Sequence, residues 1–367
     1  MNHKLLYKNC LVDNIYEACT CCYDNTKELD YMQKKEYLEK RINAGHESIL
    51  EHGRLALMIT NIHDTTNIAD VMGYEYSKWL EFYTTQLEDE SYNMIVNGSI
   101  RAYKHFINHI TEDTYEFNPI VKSIVSILLE NTPKELWGNM FKIKDFLSTH
   151  NFIDVEPDET YIDVKKAGIV YDNIFIRDIP DIQLNKKDAT KSVIIGCDSI
   201  KYYDLLIDDI MSNGFVPDIA ENIFVTTIVF LNMSRTATHQ LVRHRNAITQ
   251  ESQRYVNASD ASFTIPVPNC NKTFNITLFG NTVNTSLSKL ATELINIYGQ
   301  LFSQGLKKEE ARGFLPSNVN CGRLYMTFTL SSLDAFIKLR TNPHAQYEIR
   351  KYAETIKDVF DNLTTDE

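Results

Sequence analysis

The run Gln240 to Tyr255, QLVRHRNAITQESQRY, gathers Arg243, His244, Arg245 and Arg254 beside Gln250, Glu251 and Ser252. It follows directly on an apolar stretch, NIFVTTIVFL, so these cations stand against a core element. Guanidinium groups are costly to desolvate unless an anion meets them, and their planar forks match phosphate oxygens in pairs. A phosphate-bearing ligand is therefore the expected partner. Ser252 adds a hydroxyl, and the Gln240 amide can read a carbonyl and N–H edge of the kind a pyrimidine presents. The competing reading is a solvated basic loop or an RNA-binding patch. An excess of 49 acidic over 37 basic residues, a net charge of −12, opposes any polyanion spread along the surface.

A second cluster, AGHESILEH, places His46, Ser48, Glu51 and His52 at the end of a helical pattern. Zinc helices of the HExxH type set their histidines four apart on one face. Here the histidines at 46 and 52 are six apart, so no metal is expected. A helix-terminal cap is the plain alternative. Two further segments carry isolated cations: KKEEARGFLP with Arg312, and KLRTNPHAQYEIR with Arg340, His344, Gln346 and Arg350. Each alone reads as exposed helix surface.

The elements that must hold these residues follow from hydrophobic period and punctuation. A chain of 367 residues with 43% hydrophobic content can bury a core, and its length suggests two folding units. Helices are expected over TKELDYMQKKEYLEKRINAG, over NIADVMGYEYSKWLEFYTTQLEDE, from Ile100 to Ile110 and from Ile120 to Leu129. The segment from Phe141 to Lys191 changes character, with the turn-rich VEPDET, the apolar GIVYDNIFI and the polar NKKDATKS, and the boundary is placed there. Beyond it VIIGC and NIFVTTIVFL read as strands and SRTATHQLVRHR as a helix. SLSKLATELINIYGQLFSQ, KKEEARGF, RLYMTFTLSSLDAFIKLR and HAQYEIRKYAETIKDVF complete a helical C-terminal part. Seven cysteines without regular spacing imply reduced, buried thiols. With no signal-like N-terminus and no run of 18 apolar residues, a cytoplasmic protein outside any membrane is expected.

Taken together the clusters resemble the flavin-dependent thymidylate synthases. That family's signature, an RHR triplet followed after a short gap by a serine with an arginine two residues on, is matched by RHRNAITQESQRY. Its later segments are matched in order by EEARGFLP and by LRTNPHAQYE, and its HxS(x2)EH element by HESILEH. In the family that element leads straight into the RHR region, whereas here it lies nearly two hundred residues ahead. FVPDIAENIFVTT precedes RHR instead, with Glu221 and Asn222 as a worn copy. The first part keeps SIRAYKHF, with Arg101, His105 and Phe106, where the second has TLSSLDAF, with Thr329 and Ser331. The chain thus reads as two fused, diverged copies, 1–150 and 165–367. The alternative is one domain with an unrelated helical insertion.

The resemblance implies an α+β fold, a mixed or antiparallel sheet flanked by helices in each copy. It implies methylation of dUMP to dTMP with FAD, NADPH and methylenetetrahydrofolate, and the runner-up is a catalytically idle flavin- or nucleotide-binding paralogue. By the same resemblance dUMP would be held by Gln240, Arg243, Gln250, Glu251, Ser252, Arg254, Arg312 and Arg340, with Gln250 or Glu251 filling the polar position before the serine. Arg340 would be catalytic, stabilising negative charge on the uracil ring. FAD would contact His46, Ser48, Glu51, Ser99, Arg101, His105, Arg243, His244, Arg245 and His344. The family's homotetramer would be mimicked by a dimer of such chains, with small-molecule partners and no nucleic acid or membrane.

Overall fold

The computed structural model describes residues 1–23, 28–142, 162–168, 191–198, 200–265 and 272–363. The first part runs β1 (Asn2–Lys8), α1 (Leu11–Tyr23), α2 (Tyr31–Asn43), a 3-10 turn at Glu47–His52, then β2 (Arg54–Ile62) and α3 (Thr65–Gly73). It continues through β3 (Glu81–Gln86), β4 (Tyr92–Ser99), α4 (Ile100–His109), α5 (Glu112–Phe117) and α6 (Pro119–Asn131). The second part begins with β5 (Ile162–Gly168), β6 (Ser192–Asp198), α7 (Ile200–Ser212), α8 (Ile219–Ile223), β7 (Val225–Leu231), α9 (Arg235–Leu241) and β8 (Ala247–Gln250). A hairpin of β9 (Thr273–Leu278) and β10 (Asn281–Ser286) follows, then α10 (Leu287–Ser303), α11 (Lys308–Ala311), β11 (Arg323–Thr329), α12 (Leu330–Arg340) and α13 (Tyr347–Leu363).

Every strand pair among the described residues is antiparallel, and helices cover the sheets, so the class is α+β. One sheet has the order β1-β2-β4-β3, the other β5-β6-β7-β11-β8. Setting aside the edge strand β5, the two orders follow the same path through the chain. Registers agree as well: Arg54 lies opposite Ser99, and Val225 opposite Thr329. Ser99 and Thr329 then cap the following helices, accepting from the Ala102 and Ser332 amides. The Ile100 N–H donates to the Gly53 carbonyl at 2.8 Å and the Leu330 N–H to the Phe224 carbonyl at 3.2 Å.

Both faces of each sheet are covered, which explains why the central strands are apolar throughout and not alternating. In β2, Leu55, Leu57 and Ile59 face the helices of the first part, whereas Ala56 and Met58 pack on Leu206 and Ile210 of α7 and on α8. Reciprocally, Ala18 and Cys21 of α1 pack on Tyr325 and Val229 of the second sheet. Each part thus lends a helix to the other's sheet, and the apolar area removed from water holds the two together.

The expected helix spanning residues 67–90 is not one element. It ends at Gly73, and EFYTTQ forms β3, because its aromatic and β-branched residues pair along β4. RLYMTFT of the expected 323–340 helix is likewise strand β11, buried at five consecutive positions, and burial on both faces erases the period that would reveal a strand. Nor does the sequence pattern mark β1, β4 or the β9–β10 hairpin. The supposed boundary segment lies largely outside the described residues, β5 excepted. Among the described residues no helix is long and apolar enough to cross a membrane. Cys10, Cys19, Cys21, Cys22 and Cys321 are in no disulfide, and burial pushes the Cys19 and Cys21 thiols up to about 12.

Candidate functional site

A cavity of about 710 Å³ opens where the two sheets meet. That volume lies within the range of small-molecule sites. Its walls are contributed symmetrically in kind: Glu51, Arg54, Trp79, Glu81, Ser99, Arg101 and His105 from the first part, and Asn222, Val225, Arg245, Ala247, Thr327, Thr329 and Ser331 from the second. Helices α4 and α12 both start on it, so two positive helix ends face the same space. Arg101 is ion-paired with Glu51. Arg245 ends the 3-10 turn Val242–His244 in the left-handed region at φ 55°, a conformation uncommon outside glycine, and so carries its side chain to the cavity wall. Among the described residues, the buried Arg54 Nε and Nη2 and the Asn246 Nδ2 of the lining have no hydrogen-bond acceptor. An acceptor-rich, anionic ligand satisfies such donors.

Of the residues singled out from sequence, Glu51, Ser99, Arg101, His105 and Arg245 come together in this cavity although up to 194 positions separate Glu51 from Arg245. A second group forms around Arg340. Its Nε donates to His244 Nε2 at 2.9 Å, Nη1 to Gln240 Oε1 at 3.1 Å and Nη2 to the Gln240 carbonyl at 3.2 Å. The Gln240 amide in turn donates to the Gln346 side chain. Burial, then the Arg340 charge, holds the His244 imidazole below its usual range, so it stays a neutral acceptor. Among the described residues three of the five guanidinium N–H groups are used, which leaves two for a ligand. Exposed Arg243 stands close enough to depress Arg340 through like charge, a smaller effect than burial.

A third group joins Ser252, Arg254, Arg312 and His46. Ser252 N–H donates to the Cys22 carbonyl, neighbouring Tyr23 is bonded to His46 Nε2 at 2.9 Å, and the Tyr23 and Tyr255 rings lie 5.1 Å apart. Arg254 pairs with Glu309 at 3.0 Å, and Arg312 Nε donates to the Glu309 carbonyl. Gln250 is turned onto the Cys321 sulfur at 2.6 Å, whereas Glu251 is buried with its N–H on the Arg323 carbonyl. Ser48 and His344 are exposed and lie outside the cavity lining. His52 is no ligand: fully buried, it bridges Thr327 Oγ1 at 2.9 Å and Thr249 Oγ1 at 3.0 Å and bolts the first part to the second sheet.

Sequence reasoning missed Arg54, Trp79, Glu81 and Asn246. The signal for Arg54 was present, a lone charge at the head of an apolar strand directly after ILEHG. Trp79 and Glu81 were hidden by reading their segment as helix.

Fold and site define an α+β protein with a polar cleft shared between two like-ordered sheets. The sequence model of the family described as "Thymidylate synthase complementing protein" matches residues 154–364, and the chain belongs to that family. Among similar proteins, the flavin-dependent thymidylate synthase of Thermococcus onnurineus is 36% identical over 132 residues, covering 35% of this chain and 51% of that protein. The one from Pyrococcus abyssi is 36% identical over 123 residues, 33% and 48% respectively, and that from Sulfolobus acidocaldarius 32% over 154 residues, 41% and 55%. The chain spans about half the length of these curated relatives.

Proposed function

We propose that this protein is a flavin-dependent thymidylate synthase, converting dUMP to dTMP with FAD, methylenetetrahydrofolate and NADPH. The observation that carries the reading is the cavity, in which the HESILEH and SIRAYKHF residues of the first part meet Arg245 of the RHR triplet. Family membership, and the names of the relatives, supply the reaction class. Two helix N-termini, Arg101 and the unsatisfied Arg54 and Asn246 donors suit the phosphates and carbonyls of FAD. Bound there, the flavin would supply the redox chemistry by which a one-carbon unit is reduced on its way to the pyrimidine. The chain's own work is binding and orientation. Arg243, Ser252, Arg254 and Arg312 would hold the nucleotide, and the two remaining Arg340 donors would meet negative charge on the uracil ring. Neutral His244 keeps the Arg340 plane in place.

The same proposal takes the chain as two diverged copies, 1–150 and 165–367. Support comes from the shared strand order, the matched registers and an asparagine in the left-handed region at the same offset, Asn61 at φ 58° and Asn232 at φ 59°. In that register Asn222 stands where Glu51 does, Thr329 where Ser99 does and Ser331 where Arg101 does, so the copies have lost complementary parts. Each chain would then hold one flavin, act in the cytoplasm on small molecules alone, and pair into a dimer resembling the family's tetramer.

Purified protein should be yellow, bind one FAD per chain, and oxidise NADPH only when dUMP and methylenetetrahydrofolate yield dTMP. Flavin binding without dTMP formation would point to the idle paralogue, and absence of flavin binding would refute the reading.

A further inference from the structure

The cavity is nearly symmetric in backbone but not in charge, and the difference centres on Arg54. Its main chain is fixed by Asn9, whose Oδ1 accepts from the Arg54 N–H at 2.9 Å and whose N–H donates to the Arg54 carbonyl at 3.2 Å. The side chain therefore leaves β2 in a set direction, beside the first turn of α4, because Arg54 is paired with Ser99 in the sheet register. Its Nε and Nη2 are buried without a hydrogen bond. Glu81 Oε2 lies 3.8 Å from Nη2, beyond hydrogen-bond reach, and already accepts from Asn97 Nδ2 at 2.7 Å. At the matching position of the second sheet stands Val225, and opposite Glu81 stands Ala247. Glu81 thus offers Arg54 an ion pair but no hydrogen bond, and two buried guanidinium nitrogens without a hydrogen bond, next to a positive helix end, are best completed by a further anionic acceptor.

Building on the flavin reading, we propose that Arg54 binds phosphoryl oxygens of the ligand and so admits it in one orientation only, with its anionic part against the first-part wall. A pocket with two like halves offers two placements of an extended ligand, end for end. Arg54 facing Val225 removes that degeneracy, because only one placement satisfies the buried donors. One ligand then fills the cavity.

The test compares wild type, Arg54→Gln and Arg54→Lys, each as the full chain stripped of flavin, by titration with FAD, with riboflavin and with inorganic pyrophosphate, following flavin fluorescence or heat. Arg54→Gln is expected to weaken FAD and pyrophosphate by roughly 20-fold or more while riboflavin, lacking phosphate, changes by less than about threefold. Arg54→Lys, which keeps the charge but loses the fork, should fall between. Equal losses for FAD and riboflavin, or no loss for FAD in both variants, would overturn the assignment. Should wild type bind no flavin at all, the proposed activity falls, and pyrophosphate alone then decides: weaker binding to Arg54→Gln supports an anion subsite, while unchanged or absent binding refutes it.

Discussion

His52 offers the most direct check on how the two parts are joined. Its ring is fully buried, accepts or donates to two threonine hydroxyls of the second part, and stacks edge-on to Tyr325 at 5.1 Å. Desolvation drives its pKa from 6.5 down to about 3. Below pH 6.5 the unfolded chain binds a proton there that the native chain refuses, so stability falls as pH drops from 6.5 toward 3 and is fully present above 6.5. Each pH unit in that window removes about 1.4 kcal/mol, so the loss from this single ring is about 3 kcal/mol at about pH 4.5 and about 4 kcal/mol at about pH 3, where the native ring begins to take up its proton. His52→Gln keeps an amide for the threonines but does not titrate. Urea unfolding of wild type and His52→Gln at a series of pH values from about 7.5 to about 4.5 should show the wild type losing about 3 kcal/mol more than the variant. Parallel pH dependences would refute the coupling, since carboxylates common to both proteins cancel in the comparison. His52→Leu, which strands the Thr249 and Thr327 hydroxyls, should cost about 2–4 kcal/mol at every pH.

Arg340→Lys should cut dUMP-dependent turnover by at least about tenfold without unfolding the chain, because an ammonium cannot serve His244, Gln240 and a ligand at once; normal turnover measured by dTMP formation would move the ring-stabilising role elsewhere. Arg243→Ala should cut that turnover by roughly 10- to 150-fold, the equivalent of about 1.5–3 kcal/mol of charge-assisted binding, with activity within about threefold of wild type as the contrary result. Arg101→Ala, which removes a cation of the cavity wall, should weaken FAD by about 1–3 kcal/mol, and undiminished affinity would favour the insertion view of the first part. Glu348→Ala should destabilise by about 3–5 kcal/mol, since it strips the buried Lys191 Nζ of a carboxylate at 2.7 Å and the Ser234 amide of its acceptor at 2.8 Å; thermal unfolding indistinguishable from wild type would contradict this.

The local chemistry was legible without coordinates. The motif RHRNAITQESQRY and the order of the later motifs announced the family, because side-chain types at fixed spacing are read directly from the chain. Amphipathic helices were legible too, since α2, α4, α6 and α10 each pair one apolar face with a polar one. What sequence period cannot express is a strand covered on both faces, and for that reason β11 reads as helix and β4 leaves no mark, whereas β3 is a partly exposed strand fixed by its pairing with β4, a partner its own period does not name. Which distant residues share a wall was decided only by the sheet registers, Arg54 against Ser99 and Val225 against Thr329, which bring Arg101 and Arg245 to one cavity. The functional partition among the arginines was tertiary as well. Arg340 is committed to Gln240 and His244, Arg254 to Glu309, and Arg54, which no motif marks, keeps buried donors unspent, because hydrogen-bond satisfaction depends on neighbours that the chain order does not name.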